Sequence, residues 1–302
     1  MTPRLQKKID QSIRLIQSAS AKATSEGKEL EIAVSGGKDS DVILELAKMS
    51  GIKYRAIHRC TTIDPPGTIH HVKESGCEVI RPQKTFFQMM AKKGWPSRNV
   101  RWCCAELKEK KVLDYAVLGI RAEESAKRKA RYKEPEMCRV YNKNDKVRQY
   151  FPILNWTKED VAEFIAERGI KCHPLYYDSD GLFHAERRLG CIGCPMQTKR
   201  QRIADFAKYP RFVNLYLRGG YFYRQNHRLE KNKYFFKDVY EWFVCYLFCD
   251  SITEFRERFG PNLFDDGIDC KKFLEDYFKI ILTSPASQSP CAASQSPSGE
   301  CQ

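Results

Sequence analysis

The residues with the clearest chemistry form a glycine-rich loop between an apolar stretch at 29–34 and a segment with helical periodicity. Two consecutive glycines let the backbone turn tightly and approach a ligand closely. A helix that follows such a loop directs free amide groups and the positive end of its dipole at it. The loop therefore predicts a cradle for a pyrophosphate group, with an ordinary strand-to-helix turn as the alternative. Its residues are Ser35, Gly36, Gly37, Lys38, Asp39 and Ser40.

Asp39 is unexpected in a phosphate-binding loop, because a carboxylate repels phosphate. It fits if it helps to hold a magnesium ion that bridges to the phosphate oxygens. The loop also differs from the Walker P-loop, which has four residues between its first glycine and its Gly-Lys pair. We therefore expect a nucleotide with Mg²⁺, bound by a different kind of loop.

Two close cysteine pairs are the second chemical signal: Cys103-Cys104, and Cys191-Ile-Gly-Cys194 followed by proline. Four thiolates from two segments make a complete ligand set for a metal or an iron–sulfur cluster. Zinc and a 4Fe–4S cluster both fit four cysteines. Buried or redox-active cysteines without metal are a third interpretation.

Alternating strands and helices must position these residues. Strands are predicted at 29–34, 54–58, 78–80 and 117–120, and helices at 41–49, 85–93 and 105–111. This alternation favours an α/β fold with a doubly wound, mostly parallel sheet. A further helix is predicted at 4–26, and another after Thr157, where Asp160 completes a good N-cap.

Four segments are expected along the chain: an N-terminal helix at 1–28, a nucleotide-binding α/β domain with the cysteines at 29–195, a helical subdomain at 196–282 and a tail at 283–302. The helical subdomain carries an aromatic stripe, which is more typical of a core than of a platform for stacking bases. The tail is rich in Ser and Pro and is predicted to be disordered.

The composition limits the environment and the partners. The chain has no apolar run of about 18 residues that would predict a membrane span. Its polar N-terminus is unlike a signal peptide, so a cytoplasmic protein is expected. The formal charge of +14 favours polyanionic partners, including nucleic acids, although a solvated basic surface is the simpler interpretation. Basic runs lie at 108–111 and 199–202.

The loop resembles the pyrophosphate loop (PP-loop) of the N-type ATP pyrophosphatases, which share the adenine nucleotide alpha hydrolase-like fold. That resemblance implies cleavage of ATP between its α and β phosphates and an adenylylated intermediate. Loop and cysteines together resemble the sulfonucleotide (PAPS and APS) reductase family over roughly residues 29–215. The APS branch binds a 4Fe–4S cluster, so the resemblance assigns one to Cys103, Cys104, Cys191 and Cys194.

The segments 61–66 and 101–104 look closest to phage and bacterial reductase-like proteins and to the sulfur-transfer subunit of DNA phosphorothioation. The same resemblance implies further site residues. An element similar to Gly-x-Arg-x-x-Glu-Ser would bind phosphate or sulfate oxygens through its arginines, unless it is only a solvated basic helix. These further candidates are Asp64, Gly119, Arg121, Ser125, Arg128 and His173. For His173, a purely structural role is an equally good interpretation.

These features predict an enzyme with an iron–sulfur cluster that uses ATP to activate an acceptor, with nucleic acid as one candidate, and then transfers sulfur to it. Lys38, Asp39, Arg121 and His173 are its candidate catalytic residues. The sulfur donor would be a cysteine desulfurase or a similar source, and homodimerisation is left open.

The first alternative is a PAPS or APS reductase that makes sulfite with a thiol reductant and uses Cys301 as nucleophile. Only Glu300-Cys301 agrees with the reductases' C-terminal motif. The second alternative is a non-catalytic nucleotide-binding subunit of a larger complex.

Overall fold

The computed structural model describes residues 1–110, 112–142, 145–227, 235–261 and 267–286, and within these residues six strands form one sheet. The order across the sheet is β3-β2-β1-β4-β6-β5. Neighbouring strands are parallel except for β5 and β6. The predicted α/β fold with a mostly parallel sheet is confirmed. The strands are β1 (Leu30–Ala33), β2 (Arg55–Arg59), β3 (Glu78–Ile80), β4 (Tyr115–Leu118), β5 (Glu136–Asn142) and β6 (Asp145–Tyr150).

Helices connect the strands and build the C-terminal part. Those within and before the sheet are α1 (Pro3–Ser25), α2 (Lys38–Met49), α3 (Thr68–Glu74), α4 (Phe86–Lys93), α5 (Trp102–Leu107), α6 (Ala126–Arg131) and α7 (Lys158–Arg168). Those that follow are α8 (Lys199–Lys208), α9 (Arg211–Asn226), α10 (Val239–Phe248), α11 (Ile252–Phe259) and α12 (Cys270–Phe278).

Several predicted bounds were wrong. β4 ends at Leu118 rather than at 120, because Gly119 packs against the loop: a Cβ there would lie 2.8 Å from the carbonyl oxygen of Asp39. α5 begins at Trp102 rather than at 105. The β5–β6 hairpin, α3 and α6 were not predicted, because their segments are short or strongly charged.

The first core lies between the sheet and helices α1, α2 and α7. Thr157 caps α7 as predicted: its hydroxyl accepts from the N–H of Asp160, and the Asp160 carboxylate accepts from the N–H of Thr157 at 2.7 Å. The same fully buried carboxylate accepts from Arg4 at 2.7 Å and from Lys8 at 2.5 Å. Asp160 therefore links α1 to α7 through these hydrogen bonds and ion pairs.

The second core is aromatic and joins α4 and α5 to the C-terminal helices. It buries Phe206, Phe212, Tyr216 and Phe243, so the prediction that the stripe is core is confirmed for these rings. Phe235 is an exception at 62 % exposure. Within the described ranges, no helix is long and apolar enough to cross a membrane.

The predicted tail lies mostly outside the described residues, as do Cys301, Tyr234 and Lys111. At its start, Thr283 donates its N–H to the side-chain oxygen of Asn214 at 3.1 Å, so the first part of that segment contacts α9.

Candidate active site

The predicted phosphate loop joins β1 to α2, and Gly37 is the N-cap of that helix. Gly36 has φ +79°, in the left-handed region that favours glycine, and a Cβ there would lie 2.9 Å from Cγ2 of Thr68. The hydroxyls of Ser35 and Ser40 lie 3.3 Å apart. A short strand, a left-handed glycine and a helix N-terminus therefore form the expected cradle.

The charged side chains of the loop are already paired. Asp39 accepts from Nε of Arg121 at 2.6 Å, and Nζ of Lys38 lies 3.5 Å from the same carboxylate. Lys38 also donates to the carbonyl oxygen of Arg187 at 3.2 Å. Burial lowers the pKa of Lys38 below its usual value. Two cations thus neutralise Asp39, so its presence in the loop does not by itself require magnesium.

The Gly119–Arg128 segment brings its arginines to the loop, but both guanidinium groups have acidic partners. Arg121 is buried and contacts Glu123 at 3.0 Å in addition to Asp39. Arg128 pairs with Glu124. The Ser125 hydroxyl caps α6 by accepting from the N–H of Arg128 at 3.2 Å. A phosphate would therefore have to compete with carboxylates for both arginines.

The four predicted thiols lie in a helix and a turn, and Cys103 and Cys191 pack against the same aromatic core. Cys103 and Cys104 open α5, while Cys191 and Cys194 form a turn in which the N–H of Cys194 donates to the carbonyl oxygen of Cys191 at 3.2 Å. The pKa of Cys103 is raised by its hydrogen bond to Cys104, by burial and by the charges of the other three thiols. The two pairs therefore share one electrostatic environment.

Cations flank these thiols. Nη2 of Arg101 donates to Sγ of Cys104 at 3.2 Å. Hydrogen bonds from the Cys103 thiol and Arg101 lower the pKa of Cys104 to about 5, against the effect of burial. The charge of Cys191 raises the pKa of Lys108. Positive charge next to soft sulfur donors suits thiolate ligands.

The thiols do not form a ready site for one ion. In the described part of the chain, no three His, Cys, Asp or Glu side chains are arranged to hold a single metal. Tetrahedral zinc would need each sulfur about 2.3 Å from one point.

One cavity of about 480 Å³ is lined both by residues of the loop and by Cys104. Of the predicted site residues, it is lined by Ser35, Gly37, Lys38, Asp39, Ser40, Asp64, Cys104, Gly119 and Arg128. The cavity is not lined by the remaining predicted site residues of the described ranges, which are Gly36, Arg121, Ser125, His173, Cys103, Cys191 and Cys194. The nucleotide cradle thus opens directly toward Cys104.

Asp64 and His58 lie on the wall between the two halves of the cavity. Asp64 accepts from the N–H and the hydroxyl of Thr61, each at 2.7 Å, so it shapes its own loop. His58 is buried and its Nδ1 donates to the carbonyl oxygen of Val34 at 2.9 Å. Burial lowers the pKa of His58, which keeps the ring neutral.

His173 has a structural environment. It is 1 % exposed, and its Nδ1 accepts from the N–H of Leu175 at 3.1 Å. Burial lowers its pKa to about 4, so the ring is neutral near pH 7. The structure does not bring this predicted catalytic residue to the cavity.

The lining residues that the sequence interpretation missed include His58, Arg101, Lys108 and Tyr176. Arg101 and Lys108 could have been found, because they flank the adjacent cysteines. His58 and Tyr176 carry no such signal, since only the tertiary fold brings them to the loop.

The fold and the site define an α/β protein with a nucleotide cradle beside a cluster of thiols. The sequence profile of the phosphoadenosine phosphosulfate reductase domain matches residues 29–197. This is more than half of the chain, which therefore belongs to that family.

Two curated relatives are themselves uncharacterized proteins. One, from Escherichia phage 186, is 32% identical over 148 residues, covering 44% of this chain and 42% of the phage protein. The other, from Methanocaldococcus jannaschii, is 25% identical over 224 residues, covering 70% of this chain and 52% of that protein. The chain therefore spans about half the length of the curated relatives it matches.

Two solved structures are similar at low identity. A phosphoadenylyl-sulfate reductase from Candida auris has a TM-score of 0.41 and 16% identity, covering 63% of this chain and 96% of that chain. An FMN adenylyltransferase from Candida glabrata also has a TM-score of 0.41 and 16% identity, covering 57% of this chain and 58% of that chain.

Proposed function

We propose that this chain is an enzyme that uses an adenine nucleotide, with ATP favoured, to activate an acceptor for sulfur transfer. The observation that carries the proposal is that Lys38, Asp39 and Cys104 line the same cavity. A nucleotide held by the loop would expose its reacting end to the thiols. The reaction would take place in the cytoplasm, where thiols remain reduced.

In the first step, an oxygen of the acceptor attacks the α-phosphorus of ATP. The bond from that phosphorus to the β-bridging oxygen breaks, and pyrophosphate leaves. The loop amides and Lys38 would stabilise the departing charge. Asp39 would hold Mg²⁺, which requires the nucleotide phosphates to replace this carboxylate as the partner of Arg121.

In the second step, a sulfide-level sulfur attacks the activated carbon, a carbon–sulfur bond forms, and AMP leaves with the original oxygen. No net oxidation occurs if the donor supplies sulfide. A persulfide donor, such as one charged by a cysteine desulfurase, needs a thiol reductant as well. Lys108 and Arg101 would hold an anionic sulfur species near Cys104.

We further propose that Cys103, Cys104, Cys191 and Cys194 hold a 4Fe–4S cluster. The soft donor set and the adjacent cations fit it, and a cluster is wider than a single ion. When bound, such a group supplies electron transfer or a place to hold sulfur. The acceptor in this proposal is a nucleic acid, in keeping with the charge of +14.

A second candidate, reduction of PAPS or APS to sulfite, is favoured by the family match over residues 29–197. There a cysteine thiolate attacks the sulfur of the sulfonucleotide and the nucleotide leaves. A second thiol then displaces sulfite and forms a disulfide. Cys301 would be the attacking residue, and the donor a thiol reductant.

One experiment separates these two functions and a non-catalytic subunit. Protein purified without oxygen is incubated in parallel with ATP, APS and PAPS, each together with tRNA or DNA as acceptor, sulfide and a thiol reductant, and AMP, pyrophosphate and sulfite are measured. The proposed function predicts AMP and pyrophosphate from ATP, retained after truncation following Leu282. Sulfite made without ATP and lost on truncation would establish the reductase, and no turnover of any nucleotide would favour the subunit.

A further inference from the structure

The turn that carries Cys191 and Cys194 is held from two sides. On one side, the N–H of Ile192 donates to the carbonyl oxygen of Ile63 at 2.8 Å. The turn then passes through Gly193, whose φ of +71° lies in the left-handed region. Because only two residues separate Cys191 from Cys194, a shift at Gly193 is expected to move both sulfur atoms.

On the other side, two C-terminal helices contact the same turn. The hydroxyl of Tyr216 in α9 donates to the carbonyl oxygen of Ile192 at 3.1 Å and reaches that of Gly193 at 3.5 Å. Asp205 in α8 accepts from the N–H of Gly193 at 3.4 Å. A Cβ at Gly193 would lie 2.7 Å from Cζ of Phe206 and 2.8 Å from the Tyr216 hydroxyl oxygen, so the helices fit closely around a glycine.

Tyr216 is itself rigidly placed. Its side chain is fully buried, and its ring meets that of Phe206 edge to face at 4.9 Å. The indole N–H of Trp95 donates to its carbonyl oxygen at 3.0 Å. Phe86 packs on Tyr216 at 5.6 Å and stacks on Trp102 at 5.1 Å, and Trp102 precedes Cys103. One aromatic block therefore lies under both cysteine pairs.

We propose that Tyr216, assisted by Asp205 and Phe206, positions the turn of Cys191 and Cys194. All three residues lie beyond the family match, which ends at residue 197. The helices that follow the family domain thus complete the thiol site. This inference goes beyond the proposed reaction and does not depend on which nucleotide or acceptor the protein uses.

The test is the reactivity of individual thiols in the full-length protein as purified. Tyr216→Phe removes one hydroxyl and keeps the buried ring. Tyr150→Phe is the matched control, because Tyr150 is also fully buried and donates to Glu136 at 3.2 Å in the sheet. Each protein is treated with iodoacetamide, and the modification of each cysteine is followed by mass spectrometry. Exposed Cys138 is the internal standard, and buried Cys172 reports global unfolding.

Loss of a hydrogen bond should increase the alkylation rate of Cys191 and Cys194 about two- to tenfold in Tyr216→Phe, with Cys138 and Cys172 unchanged. Tyr150→Phe should leave Cys191 and Cys194 at the wild-type rate. Unchanged rates in Tyr216→Phe, or an equal increase at Cys172, would overturn the inference. Should that variant not fold, Asp205→Ala, which removes the acceptor of the Gly193 N–H, replaces it under the same two criteria. Failure here leaves the nucleotide assay, and so the proposed function, untouched.

Discussion

Buried Arg121 and half-buried Asp39 form an ion pair at 2.6 Å that joins the segment after β4 to the nucleotide loop. Arg121 follows the strand end and Asp39 opens α2, so the pair crosses the cradle where phosphate would lie. The two residues were predicted separately, one as a phosphate ligand and the other as a magnesium partner. Their contact makes the two roles dependent on each other.

The role of Asp39 can be tested through magnesium. Asp39→Asn should raise the Mg²⁺ concentration for half-maximal ATP cleavage about tenfold or more, as removal of a metal-supporting group does. Nucleotide affinity in EDTA should not fall, because Arg121 is released. Glu123→Gln is the control, since it removes the other carboxylate on Arg121 and leaves the loop intact. Equal effects of both changes would mean that Asp39 acts only as a counter-ion.

Gly36 should be essential for nucleotide binding. Gly36→Ala places a side chain at φ +79°, which costs about 1–2 kcal/mol, and adds a clash with Thr68. Affinity for ATP, APS and PAPS, measured by calorimetry, should fall at least about tenfold. Gly51→Ala is matched in backbone strain, with φ +66° and nothing within 4 Å of its Cβ, and should bind normally. Normal binding by Gly36→Ala would refute the loop assignment.

The four thiols should bind iron. Protein prepared without oxygen should be brown and contain about four irons per chain, by iron and sulfide assay. The iron content should fall sharply when serine replaces any one of Cys103, Cys104, Cys191 and Cys194. Cys138→Ser, in the exposed part of β5, should not. Stoichiometric zinc without iron would contradict the cluster.

Asp160 should stabilise the fold in a pH-dependent manner. Burial alone would raise its pKa, but hydrogen bonds from Lys8 and the Thr157 N–H hold the pKa below its usual value. A depressed folded-state pKa contributes stability at neutral pH that disappears as the pH falls through the folded pKa. Asp160→Ala should therefore cost roughly 2 kcal/mol at pH 7, by chemical denaturation, and progressively less below about pH 4. Asp10→Ala, on the exposed face of α1, is the control, and a cost that does not vary with pH would contradict this role.

Nucleic-acid binding, if the acceptor is of that class, should be electrostatic. Affinity for tRNA and DNA should fall at least about tenfold between 50 and 200 mM salt. Arg200→Gln should reduce the slope of log affinity against log salt by about one, whereas Lys7→Gln on α1 should have little effect. Absence of binding to both at low salt would indicate a small-molecule acceptor.

The local parts of the fold could be predicted from the sequence, because strand, glycine turn and helix N-terminus are encoded by adjacent residues. The loop at 35–40 and the cap at Thr157 are of this kind. The β5–β6 hairpin was missed because its strands are rich in polar residues and because the pairing of β6 with β4 depends on the tertiary fold. Similarly, the end of β4 depends on the contact of Gly119 with Asp39, which is 80 residues away in sequence.

The candidate site was predictable in its residue types but not in its pairings. Cysteine chemistry suggested that Cys104 and Cys191 lie in one site, and the structure brings both turns together. The pairing of Arg121 with Asp39 depends on the tertiary fold, because the two residues are far apart in sequence. The pairing of Arg128 with Glu124 is local, since the two are four residues apart. His173 resembled a catalytic residue in its motif, yet burial and its bond to Leu175 make it part of the scaffold.

The two hydrophobic cores support different parts of the site, one the loop and the other the thiols. The core that contains β1 and α2 supports the loop, whereas Cys103 and Cys191 pack on the aromatic core of α4, α8 and α9. The distance between a bound nucleotide and the thiols is therefore set by how these two cores pack against each other. If only the aromatic core unfolded, the thiols would lose their fixed positions, whereas the loop would keep its ability to bind a nucleotide. In a denaturant titration, thiol protection would then be lost before ATP affinity.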